Sequence, residues 1–174
     1  MKALDWSSQG GTGPANYQQF LVPAMFDPFA KTLMEQVGVE AGSRVLDVAC
    51  GTGAASRAAA RAAGPGGSVT GVDLGEPTLA VARSFDAEDG AAPIEYLQAD
   101  ATALPVEDGL YDVAICQQGL QFFPEKGAAL GEMRRALKPG GRLGIATWTG
   151  VEGNPFARSS RRSNGTSTRR RRRC

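Results

Sequence analysis

At residues 44–60 the chain reads RVLDVACGTGAASRAAA, an apolar run that carries an acid, breaks into Cys-Gly-Thr-Gly and resumes as alanines. A buried strand is destabilised by enclosing the carboxylate of Asp47, and a helix disfavours Gly51 and Gly53. The stretch therefore predicts a strand over 44–49, a glycine turn, and a helix over 54–64. The turn must satisfy something other than packing.

The same alternation runs on down the chain. SVTGVD (68–73) reads as a second strand and PTLAVARSF (77–85) as a helix, with Pro77 well placed near its start. IEYLQA (94–99) and YDVAICQ (111–117) read as the third and fourth strands. EKGAALGEMRRALK (125–138) is a helix with Leu130, Met133 and Leu137 inward, and GRLGIATW (141–148) is a fifth strand after the turn KPGG. Upstream, MFDPFAKTLMEQV (25–37) puts Phe26, Phe29, Leu33 and Val37 on one helical face, and Gly38 can stop it. Short apolar strands joined by single helices predict an α/β fold, a doubly wound, mostly parallel Rossmann-like sheet with helices on both faces. The 174 residues suffice for one such core. Residues 1–16, rich in Gly, Ser and Pro, are expected to be loose, with the domain proper over 17–157.

Ligands of open α/β sheets sit at the carboxyl ends of the strands. Three acids fall there: Asp47 late in the first strand, Asp73 at the end of the second and Asp100 just past the third. Each also suits a cap or a turn taken singly. Together, at spacings close to one strand–helix repeat, they are expected to converge on one crevice beside Gly51 and Gly53. A polyphosphate would be repelled by them, and the chain has no GK[ST] to hold one. NAD remains open, because Asp73 could hold a ribose, but Ser56 replaces the third fingerprint glycine in GTGAAS. A nucleoside with a zwitterionic, cationic arm suits three carboxylates better.

VLDVACGTG, GVDL, ADATALPVEDGLYDVAICQQGLQFFP and LKPGGRL resemble, in order and spacing, the four signature regions of class I S-adenosylmethionine-dependent methyltransferases. The likeness is greatest to the type 11 group, which includes ubiquinone/menaquinone-biosynthesis enzymes, and it covers roughly residues 17–157. It implies five strands in the order 3-2-1-4-5, S-adenosylmethionine as cofactor and methyl transfer to a small-molecule acceptor. It further implies that Asp47, Ala49, Gly51 and Gly53 line the methionine arm, Ala49 standing where many relatives have glycine. Asp73 would take the ribose hydroxyls and Leu74 would lie against the adenine. Asp100 would accept from the adenine amino group, the Ala101 N–H would meet the ring, and Gln117 would sit near the methyl donor. The sulfonium is already activated, so catalysis is mostly alignment, and no catalytic residue is assigned.

Composition excludes further classes. Histidine is absent, which removes the commonest general base and the usual catalytic zinc ligand, and no metal site is expected. No apolar run approaches the roughly 20 residues of a membrane span, and MKALDWSSQGG lacks a signal-peptide core. Cys50, Cys116 and Cys174 have no metal-like spacing, which fits a reducing cytoplasm. Cys50 reads as a small buried residue. Tyr17 and Phe20 suit either packing or a lid, and Phe122 and Phe123 either packing or a pocket wall.

Residues 1–157 carry 11 basic against 18 acidic side chains, a balance of −7, whereas residues 158–174 carry +8 and no acid. The family pattern stops at Ala157, and the tail has no apolar residue before Cys174. This implies a domain incomplete at its C-terminal end, with 158–174 a disordered basic tail that would bind anions without selecting a specific nucleic acid. Three functions follow: an active small-molecule methyltransferase, a non-catalytic cofactor-binding fragment with an anion-binding tail, or an NAD-binding domain. The fifth strand is expected to expose apolar residues on both faces and to promote self-association.

Overall fold

The computed structural model describes residues 12–148. The expectations for the basic tail, for residues 149–157 and for residues 1–11 lie outside them. Helix α1 (Thr12–Asn16) runs into a π-helical stretch (Tyr17–Phe26) and then into α2 (Asp27–Val37). Helical structure thus begins at Thr12, inside the segment expected to be loose to residue 16. The wide π turns house Pro23, which has no N–H to donate, and the Asp27 N–H bonds back five residues to the Val22 carbonyl. Gly38 ends α2 in the left-handed conformation.

The alternation that follows is β1 (Arg44–Val48), α3 (Ala54–Ala63), β2 (Ser68–Asp73), α4 (Glu76–Arg83), β3 (Ile94–Gln98), β4 (Tyr111–Gln117), α5 (Lys126–Ala136) and β5 (Leu137–Ala146). All four strand pairings are parallel, and the order is β3-β2-β1-β4-β5. Both the fold class and the strand order match the expectation. Strand β5 starts earlier than the sequence suggests. Leu137 already pairs with Tyr111, the KPGG turn makes a bulge, and Arg142 resumes the ladder opposite Val113.

Side chains alternate across the sheet. Val45, Val69, Val113 and Ile115 face a cluster built from α2 and α3, whereas Leu46, Val48, Val72 and Cys116 face Met133 and Ala136 of α5. Alanine dominates α3 because the helix lies close against the sheet and α2. In α2 the buried face is Ala30, Leu33, Met34 and Val37; of the expected row Phe26, Leu33 and Val37 are buried and Phe29 is not. Phe29 is turned outward and packs edge-on against Trp148, ring centroids 5.8 Å apart.

The expectation of two bare faces on β5 holds on one side only. Gly144 packs against Leu33 and Val37 of α2, and a Cβ there would stand 3.1 Å from both. Leu143 and Ile145, on the opposite face, are exposed. Among the described residues β5 is an edge strand, and no helix is long and apolar enough to cross a membrane.

Candidate cofactor cleft

The chain leaves β1, turns, and enters α3 through alternating left-handed positions at Ala49 (φ 60°), Gly51 (φ 57°) and Gly53 (φ 82°). Two of the three are glycine, which adopts that region without strain; Ala49 is held there against an intrinsic cost of about 1–2 kcal/mol. The turn is pinned by the Cys50 N–H on the Val72 carbonyl and by the Gly53 N–H on the Cys50 carbonyl. It lies where strand order reverses, between β1 and β4, the expected ligand crevice of such a sheet.

Asp47 is fully buried beneath this turn, and the Ser56 hydroxyl donates to its Oδ2 at 2.6 Å. Among the described residues its Oδ1 has no hydrogen-bond partner, and the Thr52 hydroxyl and Gln117 Oε1 are likewise buried and unpartnered. Burial pushes the Asp47 pKa up to about 7, the Ser56 hydrogen bond opposing and the nearby Asp73 carboxylate adding to the rise. Asp47, Ala49, Gly51, Thr52 and Gln117 line one cavity of about 40 Å³, walled by Tyr17 and Phe26 from the helical stretch before α2. Gln117 is tied to that wall, its Nε2 donating to the Phe26 carbonyl at 2.9 Å. Burial and the Asp73 charge raise the pKa of Tyr17, which keeps it a neutral phenol. Cys50 is buried, and burial first, then Asp47 and Asp73, hold it as a thiol.

Asp73 stands at the rim. Its Oδ2 accepts from the Gly51 N–H at 2.8 Å and its Oδ1 from the Gly75 N–H at 2.9 Å, so it braces the glycine turn against its own loop. Partial burial raises its pKa, and the N–H donors of Gly75, Gly51 and Leu74 oppose that rise. Leu74 is 58% exposed, an apolar side chain left in solvent beside the turn.

Not all of the expected residues converge. Asp100 is exposed, and its Oδ1 is engaged by the Thr102 N–H and hydroxyl at 2.8 and 2.7 Å, an ordinary Asx turn that lowers its pKa. It shares the carboxyl edge of the sheet with Asp47 and Asp73 but, like Asp73, does not line the Asp47 cavity. Ala101 is half-buried against the α5-side core. Gly53 does not line the cavity either; it backs onto Arg57 and Tyr96.

Three contributors were not singled out from the sequence. Ser56 is a lone hydroxyl on an otherwise alanine-lined buried helix face, and that is the signal that could have found it. Thr52 carries no signal beyond lying between the two glycines. Phe26 reads as a core residue, which it also is.

Residues 45–141 match the sequence family described as a methyltransferase domain. Over 113 residues the chain is 40% identical to the demethylmenaquinone methyltransferase of Staphylococcus aureus (strain JH9), covering 65% of this chain and 46% of that protein. It thus spans less than half the length of the curated relatives it matches. Among solved structures it is similar to a (4+2)-cyclase, at 33% identity and TM-score 0.61 over 68% of this chain and 44% of that one. It is also similar to an arsenic(III) S-adenosylmethionine methyltransferase from Chlamydomonas reinhardtii, at 34% identity and TM-score 0.59 over 63% and 39%.

Proposed function

The chain belongs to the methyltransferase-domain family, and on that premise we propose that it binds S-adenosylmethionine at the carboxyl ends of β1–β4 and methylates a small molecule. One observation carries most weight. Among the described residues Asp47 Oδ1 and Gln117 Oε1, two acceptor-only atoms, are buried and unpartnered on one small cavity, where the Thr52 hydroxyl is unpartnered too. Such a pair calls for a cation that donates hydrogen bonds, as the ammonium of a methionyl arm does. The residues present therefore fit the cofactor. At about 40 Å³ the cavity is smaller than that arm, so the Tyr17–Phe26 wall must shift outward on binding.

In this reading Gly51 lets the arm approach the backbone, and Gly53 shapes the turn it rests on. Asp73 takes the ribose hydroxyls on lone pairs not used by Gly51 and Gly75. Leu74 covers the adenine, with Asp100 and the Ala101 N–H at its polar edge. The cofactor supplies an activated methyl group, and the protein supplies alignment and exclusion of water. The acceptor enters beside Gln117, past the exposed Phe122. Two free buried cysteines, Cys50 and Cys116, suit a reducing cytoplasm.

Calorimetric titration should show S-adenosylhomocysteine binding in clear preference to NAD, and a labelled methyl group should pass to a quinol of the kind the Staphylococcus relative is named for. Preferential NAD binding would overturn the cofactor reading. Tight cofactor binding with no transfer to any offered quinol, amine or arsenite would favour the non-catalytic reading.

Assembly belongs to the same proposal. Among the described residues the outer side of β5 pairs with no strand and lies beside exposed Leu143 and Ile145, and a second copy of the chain can add there as a strand. Light scattering is expected to show a dimer or larger species that Leu143→Lys, with its charge on that face, reduces towards monomer. A monomer at all concentrations for the unaltered chain would refute it.

A further inference from the structure

A cavity of about 300 Å³ lies away from the glycine turn, between α3, α4 and the outer strand β3, at the lower end of the size range of small-molecule sites. Its inner groups are Arg57 and Tyr96. The Arg57 guanidinium lies 4.1 Å above the Phe85 ring and has no carboxylate within ion-pairing distance among the described residues. The Tyr96 ring lines the cavity, while its hydroxyl is fully buried against Gly53, out of reach of the cavity, and has no hydrogen-bond partner among the described residues. Both groups lie against Gly53, where an added Cβ would overlap the hydroxyl and stand 3.1 Å from Arg57 Nη1. The walls are apolar: Ala60, Ala82, Ala92 and Ile94. At the mouth, Glu88 is neutralised by Arg61 at 2.7 Å and Arg83 by Glu76 at 2.6 Å, which leaves Asp86 as the exposed acid of the rim.

We propose that this cavity is a second ligand site, separate from the cofactor cleft, for a small apolar carboxylate. A cationic group with several N–H donors and no carboxylate partner stands where apolar walls would enclose the ligand's body. One negative charge is recognised by Arg57, and the Tyr96 ring packs against the ligand's apolar body. The Asp86 rim selects against dianions. Arg57 also links this site to the cleft. Its Nη1 donates to the Thr52 carbonyl inside the glycine turn at 2.8 Å, and its Nη2 donates to Gln18 on the π-helical stretch at 3.3 Å. A ligand that reorients Arg57 therefore acts on the turn and on the wall that closes the cleft, and the coupling must be reciprocal.

Benzoate is the probe, titrated into the full chain while side-chain NMR signals of Phe85, Tyr96 and Leu74 are followed. Saturable shifts at Phe85 and Tyr96, larger than any at Leu74, are expected. Benzamide, of the same shape without the charge, should bind about tenfold more weakly or worse. Arg57→Gln should weaken benzoate by a similar factor and leave benzamide unchanged. Because Arg57 also supports the glycine turn, Ala91→Phe provides a second variant: it fills the cavity from its wall and should abolish benzoate binding with the circular dichroism spectrum retained. Equal affinity for benzoate and benzamide, or shifts confined to Leu74 and the cofactor cleft, would overturn the site. S-adenosylhomocysteine affinity should differ with and without saturating benzoate, and equality would overturn the coupling.

Discussion

Between about pH 4 and about pH 7 the folded chain is expected to lose stability as pH rises, by up to roughly 4 kcal/mol from Asp47 alone. The sign follows from its pKa, lifted by burial from 3.8 to about 7. Within that window the folded state holds a proton that the unfolded state has released, so raising the pH favours unfolding. Above the folded pKa the penalty is complete and the dependence on this group flattens. Asp100, Asp112 and Glu132 act in the opposite sense, because hydrogen bonds from Thr102, Lys138 and Arg135 lower their pKa values. Asp100 is exposed and Asp112 and Glu132 are half-buried, and all three act only at lower pH, where their loss destabilises the fold. Urea unfolding across the window should show the decline in the unaltered chain and a much flatter profile for Asp47→Asn. That variant keeps an acceptor for Ser56 but cannot ionise. Parallel profiles for the two would show that Asp47 is not titrating as its burial requires. The same substitution should weaken S-adenosylhomocysteine binding, since the ionised carboxylate that destabilises the empty fold is the group an ammonium would neutralise.

Asp73→Ala is the second large effect. Cofactor affinity should fall by about 10- to 100-fold, corresponding to roughly 1.5–3 kcal/mol for hydrogen bonds to a charged group. The ribose would lose both acceptor oxygens, and the N–H groups of Gly51 and Gly75 would lose theirs, freeing the turn from the loop after β2. Asp73→Asn separates the two contributions. It keeps one acceptor but turns a donor towards one of the two N–H groups, so its affinity should lie between the others. Unchanged calorimetric affinity in Asp73→Ala would remove the ribose from this rim.

Both residues were legible from the amino-acid order because an acid at the end of an apolar run has few other uses. Asp100 carried the same signal; the hydrogen bonds from Thr102 two residues on engage only its Oδ1, so the local turn and the proposed adenine contact are compatible. Segments with strict apolar patterning were read well: β2 and β4 have the expected bounds, 68–73 and 111–117. The helical region before residue 25 was not, because Gly13, Pro14 and Pro23 speak locally against helix while Val22 and Phe26 reward it only through tertiary packing. In α2, volume misled. Phe29 outweighs Ala30 in any apolar count, but only the small side chain fits under the neighbouring helix, and Ala30 is the residue with no exposure. The Arg57 cavity left no trace in the sequence, since its parts come from α3, the loop after α4 and β3, and its walls are alanines.

Ala49 points its methyl group across the crevice at Gly119, where an added Cβ would stand 2.5 Å away. Gly119 has φ −98°, a value any residue tolerates, so space and not backbone freedom demands glycine there. One methyl group fills the gap between the two loops, and whichever position carries it forbids the other. The two sites therefore form an epistatic pair. A lineage can move the methyl from 49 to 119 only through an intermediate with glycine at both. Gly119→Ala is expected to destabilise this background and to cost less once 49 is glycine, the Cys116 Sγ at 3.0 Å then being the remaining close contact.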